Sequence, residues 1–183
     1  MNNVLIVSGH PNLAQSVANQ TILNTLAAQL PEAEIRKLDS LYPDYQIDVA
    51  AEQAAISNAD LMVWQFPFHW YAMPALMKKW LDDVFLHGFA HGSTAKIAGK
   101  KLLISLTAGA PKGLYAKDAL MRHEMEDYFA AFESTAALCG LELLPPVYLN
   151  GVSYVGRDEA AIAAQQAEAQ GYAERLAAQI RAL

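Results

Sequence analysis

Short apolar runs alternate along this chain with segments of helical periodicity, and few architectures accommodate that pattern. Leu61-Met62-Val63-Trp64 and Leu102-Leu103-Ile104-Ser105-Leu106 are apolar at nearly every consecutive position. A strand of that kind is buried on both faces, as in a parallel sheet covered by helices on either side. Strands are expected over residues 4–8, 34–38, 61–66, 101–107 and 142–148. Between them, Ser16 suits a helix N-cap, and Pro31 bounds that helix at about Leu30. Further helices are expected over residues 49–58, 74–85, 117–138 and 158–182. The third opens on Pro74, whose missing N–H is not needed in a first turn, and it places Leu76, Trp80 and Val84 on one face. The long fourth helix stops at Gly140. The expectation is one three-layer α/β domain over residues 1–183, with five strands whose order periodicity alone does not give.

Length and charge narrow the function. A chain of 183 residues buries a continuous core. Its net charge of −6, from 13 basic against 19 acidic residues, argues against a general nucleic-acid binder. Cys139 is the only cysteine, so an intrachain disulfide and a thiolate metal cluster are excluded, and its apolar surroundings read as a buried thiol. The opening residues turn polar at Ser8 without a basic leader and read as a first core strand. No apolar run approaches the ~20 residues of a membrane-spanning helix. The chain is expected in the cytoplasm. The five histidines show no H-x-x-x-H on one helix, since His87 and His91 straddle Gly88 in a loop, and no metal is expected.

In open α/β sheets ligands bind beyond the carboxyl ends of the strands, and three loops there are unusual. The first runs from Ser8 through Gly9 and His10 into the helix after Ser16. Free N–H groups and the positive end of the helix dipole favour an anion there, with donors expected from His10, Ser16 and Asn19. Ser16 as an ordinary cap is the alternative. The second loop, Phe66 to Pro74, crowds Phe68, His69, Trp70 and Tyr71 into a Pro-bounded turn. Flat apolar surface with exposed amides suits a planar heteroaromatic ring; packing beneath a loop is the alternative. The third, Thr107-Ala108-Gly109-Ala110-Pro111, is small enough for backbone N–H groups to approach a ligand closely, and Tyr115 stands at its edge.

Together these loops resemble the NAD(P)H:quinone oxidoreductase family of flavodoxin-like proteins, which includes DT-diaphorase, bacterial modulators of drug activity and the ancillary flavoproteins of glutathione-gated potassium efflux. The likeness runs from Leu5 to about Tyr154. It is most specific over residues 60–91, DLMVWQFPFHWYAMPALMKKWLDDVFLHGFAH, which carry the family's Q-x-P-x-x-W-[YF]-x-x-P and K-x-W-[LIF]-[DE]-x-V-F patterns. Leu41-Tyr42-Pro43-Asp44-Tyr45, Asp48 and Glu52-Gln53 resemble the bacterial members.

The resemblance implies a flavodoxin-like three-layer sandwich with a five-stranded parallel sheet of order 2-1-3-4-5. It implies non-covalent FMN or FAD, with NADH or NADPH as electron donor and a quinone or similar planar acceptor. By position, His10, Ser16, Val17, Ala18 and Asn19 would hold the flavin phosphate. Pro67, Phe68, His69 and Trp70 would line the isoalloxazine ring, largely through backbone contacts, and Thr107, Ala108, Gly109 and Ala110 would reach its pyrimidine edge. Tyr115 would act as the catalytic phenol beside the flavin carbonyl, and Trp70, Tyr71 and His91 would line the substrate pocket. Some members place a histidine six residues after that tyrosine. Here Met121 stands in its place, and His123 reads as surface or packing. Many relatives have Gln where this chain has His69, and a pocket tyrosine where it has His91. The resemblance further implies ping-pong two-electron transfer, a homodimer, and as rivals an ancillary role at a potassium-efflux transporter on the inner membrane, azo or nitro reduction, or one-electron carriage.

Overall fold

The computed structural model describes residues 3–183. Among them six strands form one parallel sheet: β1 Val4–Ser8, β2 Glu34–Lys37, β3 Leu61–Pro67, β4 Lys101–Ala108, β5 Glu142–Leu143 and β6 Val147–Asn150. Their order is β2-β1-β3-β4-β5, with β6 also on β4. The expected order therefore holds, but the expected last strand is two. Pro145 and Pro146 interrupt it, because proline offers no N–H to a ladder. Beyond them β6 resumes pairing at Ser105↔Val147.

Six α-helices cover the sheet: α1 Val17–Gln29, α2 Leu38–Leu41, α3 Val49–Asn58, α4 Ala75–Val84, α5 Ala130–Cys139 and α6 Glu159–Arg181. Because successive strand side chains point to opposite faces, each central strand feeds two cores. Leu5, Val7, Met62, Trp64, Phe66, Leu102 and Ile104 pack with α3, α4 and α5. Ile6, Leu61, Val63 and Leu103 pack with α1 and α6. On α4, Leu76, Trp80 and Val84 are buried as their spacing predicts. Its outer face carries the i,i+4 pairs Lys78–Asp82 and Lys79–Asp83, the latter at 2.7 Å.

One expected helix is wrong in its first half. Residues 117–124 are not helical, and α5 follows a short 3-10 turn at Met125–Phe129. Arg122 takes a φ of 58°, which no right-handed helix contains, and the Met121 N–H turns back to Leu114 O at 3.1 Å. The helical stretch begins instead at a capping box, Glu124 with Asp127. The intervening loop wraps over the aromatic turn after β3.

A buried carboxylate fastens the α3–α4 side. Glu52 is fully buried and receives Arg36 Nη2 at 2.6 Å, Trp80 Nε1 at 2.8 Å and the Tyr42 hydroxyl. Arg36 in return is held cationic far above any accessible pH by those bonds. Among the described residues no helix is long and apolar enough to cross a membrane.

Candidate functional site

The carboxyl ends of β1, β3 and β4 open onto a cavity of about 480 Å³. His10, Ser16, Val17, Ala18 and Asn19 line one side; Pro67, Phe68, His69, Thr107 and Gly109 line the other. Ten of the residues singled out in the sequence thus meet around one space. Four more complete it without having been foreseen: Gln15, Val152, Tyr154 and Arg157. A second cavity of about 530 Å³ lies at the opposite end of the sheet, between the last turns of α1 and α6. It has no converging donors, since the Arg181 guanidinium is already on Gln29 O at 3.1 Å.

The charged side chain lining the first cavity is basic although the chain is acidic, with the Asp39 carboxylate near enough to act on His10. Arg157 lines it, and among the described residues no carboxylate does. The N-terminus of α1 points into it. Ser16 caps that helix, its Oγ accepting the Asn19 N–H at 3.1 Å. The cap and the anion site are compatible: Val17 and Ala18, in the first turn, have N–H groups that no helix carbonyl can reach. Asn19 does not offer the donor expected of it. Its side-chain amide is spent on Ser16 Oγ at 3.1 Å and Thr107 Oγ1 at 3.0 Å, so it positions its neighbours.

His10 accepts the Asn12 N–H on Nδ1 at 3.0 Å, which leaves the ring proton on Nε2. Burial, followed by the facing His69 ring at 6.4 Å, pushes its pKa down to about 4. His10 is therefore a neutral donor at pH 7. Burial also lowers His69.

The turn after β3 is a two-residue hairpin. His69 N–H bonds to Ala72 O at 3.0 Å, Ala72 N–H returns to His69 O at 3.1 Å, and Trp70 and Tyr71 both take positive φ, 47° and 65°. Such turns favour Asn-Gly; two aromatic residues there store backbone strain. The Phe68 and His69 N–H groups are engaged, with Thr107 O at 2.7 Å and with Ala72 O. Trp70 is 92% exposed and Tyr71 45%. Tyr71 stacks on Tyr128 at 5.4 Å and 15°, and Phe68 meets Tyr128 edge-on at 5.3 Å. Tyr115 joins the cluster at 6.1 Å from Tyr128. Burial, then Tyr128 and Tyr71, push its phenol up.

Trp70, Tyr71, Ala108, Ala110, Tyr115 and His91 stand outside the lining of the cavity. Ala108 is buried beneath it, and Ala110 O receives Gly151 N–H at 3.1 Å, bracing the loop after β6. His91 lies beyond α4 against His87, ring centres 5.4 Å apart. His123 is exposed, 5.7 Å from the Tyr128 ring. Gly9 lets β1 turn into the cavity: a Cβ there would meet Met77 Cβ at 2.7 Å. Among the described residues no group of three His, Cys, Asp or Glu is arranged to hold a metal ion.

Comparison with known proteins agrees with this geometry. A family model described as flavodoxin-like fold matches residues 2–174. The chain is 41% identical over 174 residues, 94% of each chain, to the glutathione-regulated potassium-efflux system ancillary protein KefF of Enterobacter sp. (strain 638). Among solved structures it is similar to general stress protein 14 of Treponema denticola in complex with FMN. That likeness has a TM-score of 0.86 and 33% identity, over 96% of this chain and 98% of the other. An NADPH-quinone reductase from P. pentosaceus gives a TM-score of 0.75 at 25% identity, over 94% and 98% of the two chains.

Proposed function

The chain belongs to the family of flavodoxin-like fold, and from that premise we propose that it is an FMN-dependent NAD(P)H:quinone oxidoreductase. The observation that carries this reading is the cavity, where a helix N-terminus with unspent N–H groups faces a strained aromatic turn. One end suits a phosphate and the other a flat ring. The reductase and FMN complex among the similar structures support it.

A flavin held there would supply the redox chemistry, two-electron hydride transfer from NAD(P)H to a quinone. The chain's own part is binding and electrostatics. The Val17 and Ala18 N–H groups, the Ser16 hydroxyl and His10 Nε2–H would hydrogen-bond the phosphate, and Arg157 would supply the opposing charge. Pro67, Phe68, His69 and Trp70 would flank the ring, and Thr107 to Ala110 its polar edge. The Tyr115 phenol, held protonated above its ordinary range, would donate to negative charge developing beside it. Tyr71 and His91 would shape the acceptor's entrance. Donor and acceptor using one face in turn gives ping-pong kinetics; intersecting double-reciprocal plots would exclude it. A homodimer, with residues 1–183 as one domain in each copy, belongs to the same reading, and a monomer at all concentrations by sedimentation would contradict it.

The identity with KefF supports a second role, attachment in the cytoplasm to a glutathione-regulated potassium-efflux transporter at the membrane. Copurification with such a transporter tests it. For the enzyme, the test is a visible spectrum of the purified protein followed by anaerobic NADPH. Flavin bands that bleach in one two-electron step are expected. A protein that is colourless and takes up neither FMN nor FAD would end the proposal.

A further inference from the structure

Behind the cavity wall lies a chain of polar side chains that the proposed chemistry does not use. Gln65 and Ser105 face each other in the β3–β4 register and are both fully buried. Ser105 Oγ donates to Gln65 Oε1 and lies 2.7 Å from the Tyr172 hydroxyl of α6. Gln65 Nε2 donates to Asn19 Oδ1 at 3.0 Å, and Asn19 Nδ2 donates to Ser16 Oγ at 3.1 Å. Four buried polar residues in contact with two cores would be costly without such satisfaction.

The links have a direction. A hydroxyl has one proton, so Ser105, having given its own to Gln65, accepts from Tyr172. Burial holds the Tyr172 phenol well above the ordinary tyrosine range, so that donor stays protonated. Each amide then accepts on its oxygen and donates from its nitrogen. At the end, Ser16 Oγ accepts from both the Asn19 side chain and the Asn19 N–H, which occupies its two lone pairs. Its own proton has no acceptor among the described residues, and Ser16 lines the cavity.

We infer that Tyr172, Ser105, Gln65 and Asn19 are positioning residues that fix Ser16 as a hydrogen-bond donor toward a phosphate bound at the α1 N-terminus. Were both amides reversed, the Asn19 oxygen would face Ser16 and take that proton, turning a lone pair to the anion. The buried Tyr172–Ser105 pair at the far end disfavours this arrangement, because with Gln65 donating to Ser105 one of the two buried hydroxyl protons would have no acceptor among the described residues. The inference rests on the flavin reading for the identity of the phosphate.

The test compares the affinities of FMN and riboflavin, which differ only in the phosphate, by quenching of flavin fluorescence on the intact protein. Ser16→Ala is expected to cut the preference for FMN roughly ten- to a hundredfold, the worth of a hydrogen bond to a charged group. Gln65→Met, which breaks the chain without adding charge, is expected to cut it severalfold when Ser16 is present and not at all when combined with Ser16→Ala. Tyr172→Phe, the milder change, is expected to act in the same direction by about 1.5- to 4-fold, again only with Ser16 present, as for one link in a polarised chain. Equal losses with and without Ser16, or no loss in either variant, would overturn the inference while leaving the flavin reading intact. A native protein that binds both but prefers FMN no more than riboflavin would overturn the inference alone; one that takes up no flavin would overturn both.

Discussion

Trp70 occupies a position that its own chemistry disfavours, and that can be measured. It is the first central residue of a two-residue hairpin, at φ 47°, with its ring 92% exposed. A left-handed conformation costs an ordinary L-residue roughly 1–2 kcal/mol. Asn tolerates it better and is preferred at this turn position. Trp70→Asn is therefore expected to recover about 0.5–1 kcal/mol of folding stability, since an exposed ring gives up little burial in exchange. For a chain of this length that is a rise in Tm of about 1–4 °C. Adding Tyr71→Gly brings no further gain. It relieves the 65° φ but removes the stack on Tyr128 at 5.4 Å and the edge contact with Phe68 at 6.1 Å, each worth about 0.5–1.5 kcal/mol. The assay is urea unfolding of the flavin-free protein at fixed concentration, with the flavin dissociation constant measured alongside. The single variant should be more stable and bind flavin less tightly, the pattern of strain retained for function. A midpoint that falls with an unchanged slope would refute the reasoning, because the ring would then be packed in solution.

His10 gives a pH signature. Its pKa is lowered from 6.5 to about 4 in the folded state, so the unfolded chain takes up the proton first. Stability should be complete above pH 6.5 and fall by about 1–3 kcal/mol as pH drops toward 4; His10→Asn should flatten that limb in pH-dependent urea unfolding. Glu52→Ala strands the Arg36 guanidinium and should cost about 3–5 kcal/mol, read from the same curves, with a change under 1 kcal/mol arguing that the group is solvated. Gly9→Ala forces a methyl group into Met77 and should cost about 1–3 kcal/mol. Combining it with Met77→Ala should return part of that loss, and an unaltered melting temperature for Gly9→Ala alone would show that the β1 turn can shift.

The strands were legible because burial on both faces leaves a local mark: every position of Leu61 to Trp64 is apolar, whichever way the chain folds around it. The Ser16 cap was legible for the same reason, its Oγ accepting the N–H three residues on. The failure at residues 117–124 is instructive. Lys117, Asp118, Ala119 and Leu120 are individually compatible with helix, and only the return of Met121 to Leu114 and the packing of Tyr128 on Tyr71 hold them in a loop. Arg157 carried no signal either, lying in a Gly-containing turn remote in sequence from the three loops read as ligand-binding. Gln65 stood inside the most specific motif, yet nothing local says that it reaches Asn19.

By itself, then, the sequence determined the number and kind of layers, the positions of most elements and the three loops at which chemistry gathers. These depend on the spacing of apolar residues and on turn chemistry, and both act over a few neighbours. Only the tertiary structure decided the strand register, the strain of the Trp70–Tyr71 turn, the arrival of Arg157 and the direction of the hydrogen bonds from Tyr172 to Ser16. Those depend on which side chains meet across the sheet, 46 residues apart for Gln65 and Asn19 and 67 for Ser105 and Tyr172. A proton shared between two such groups has its direction set by partners that the local chain does not contain.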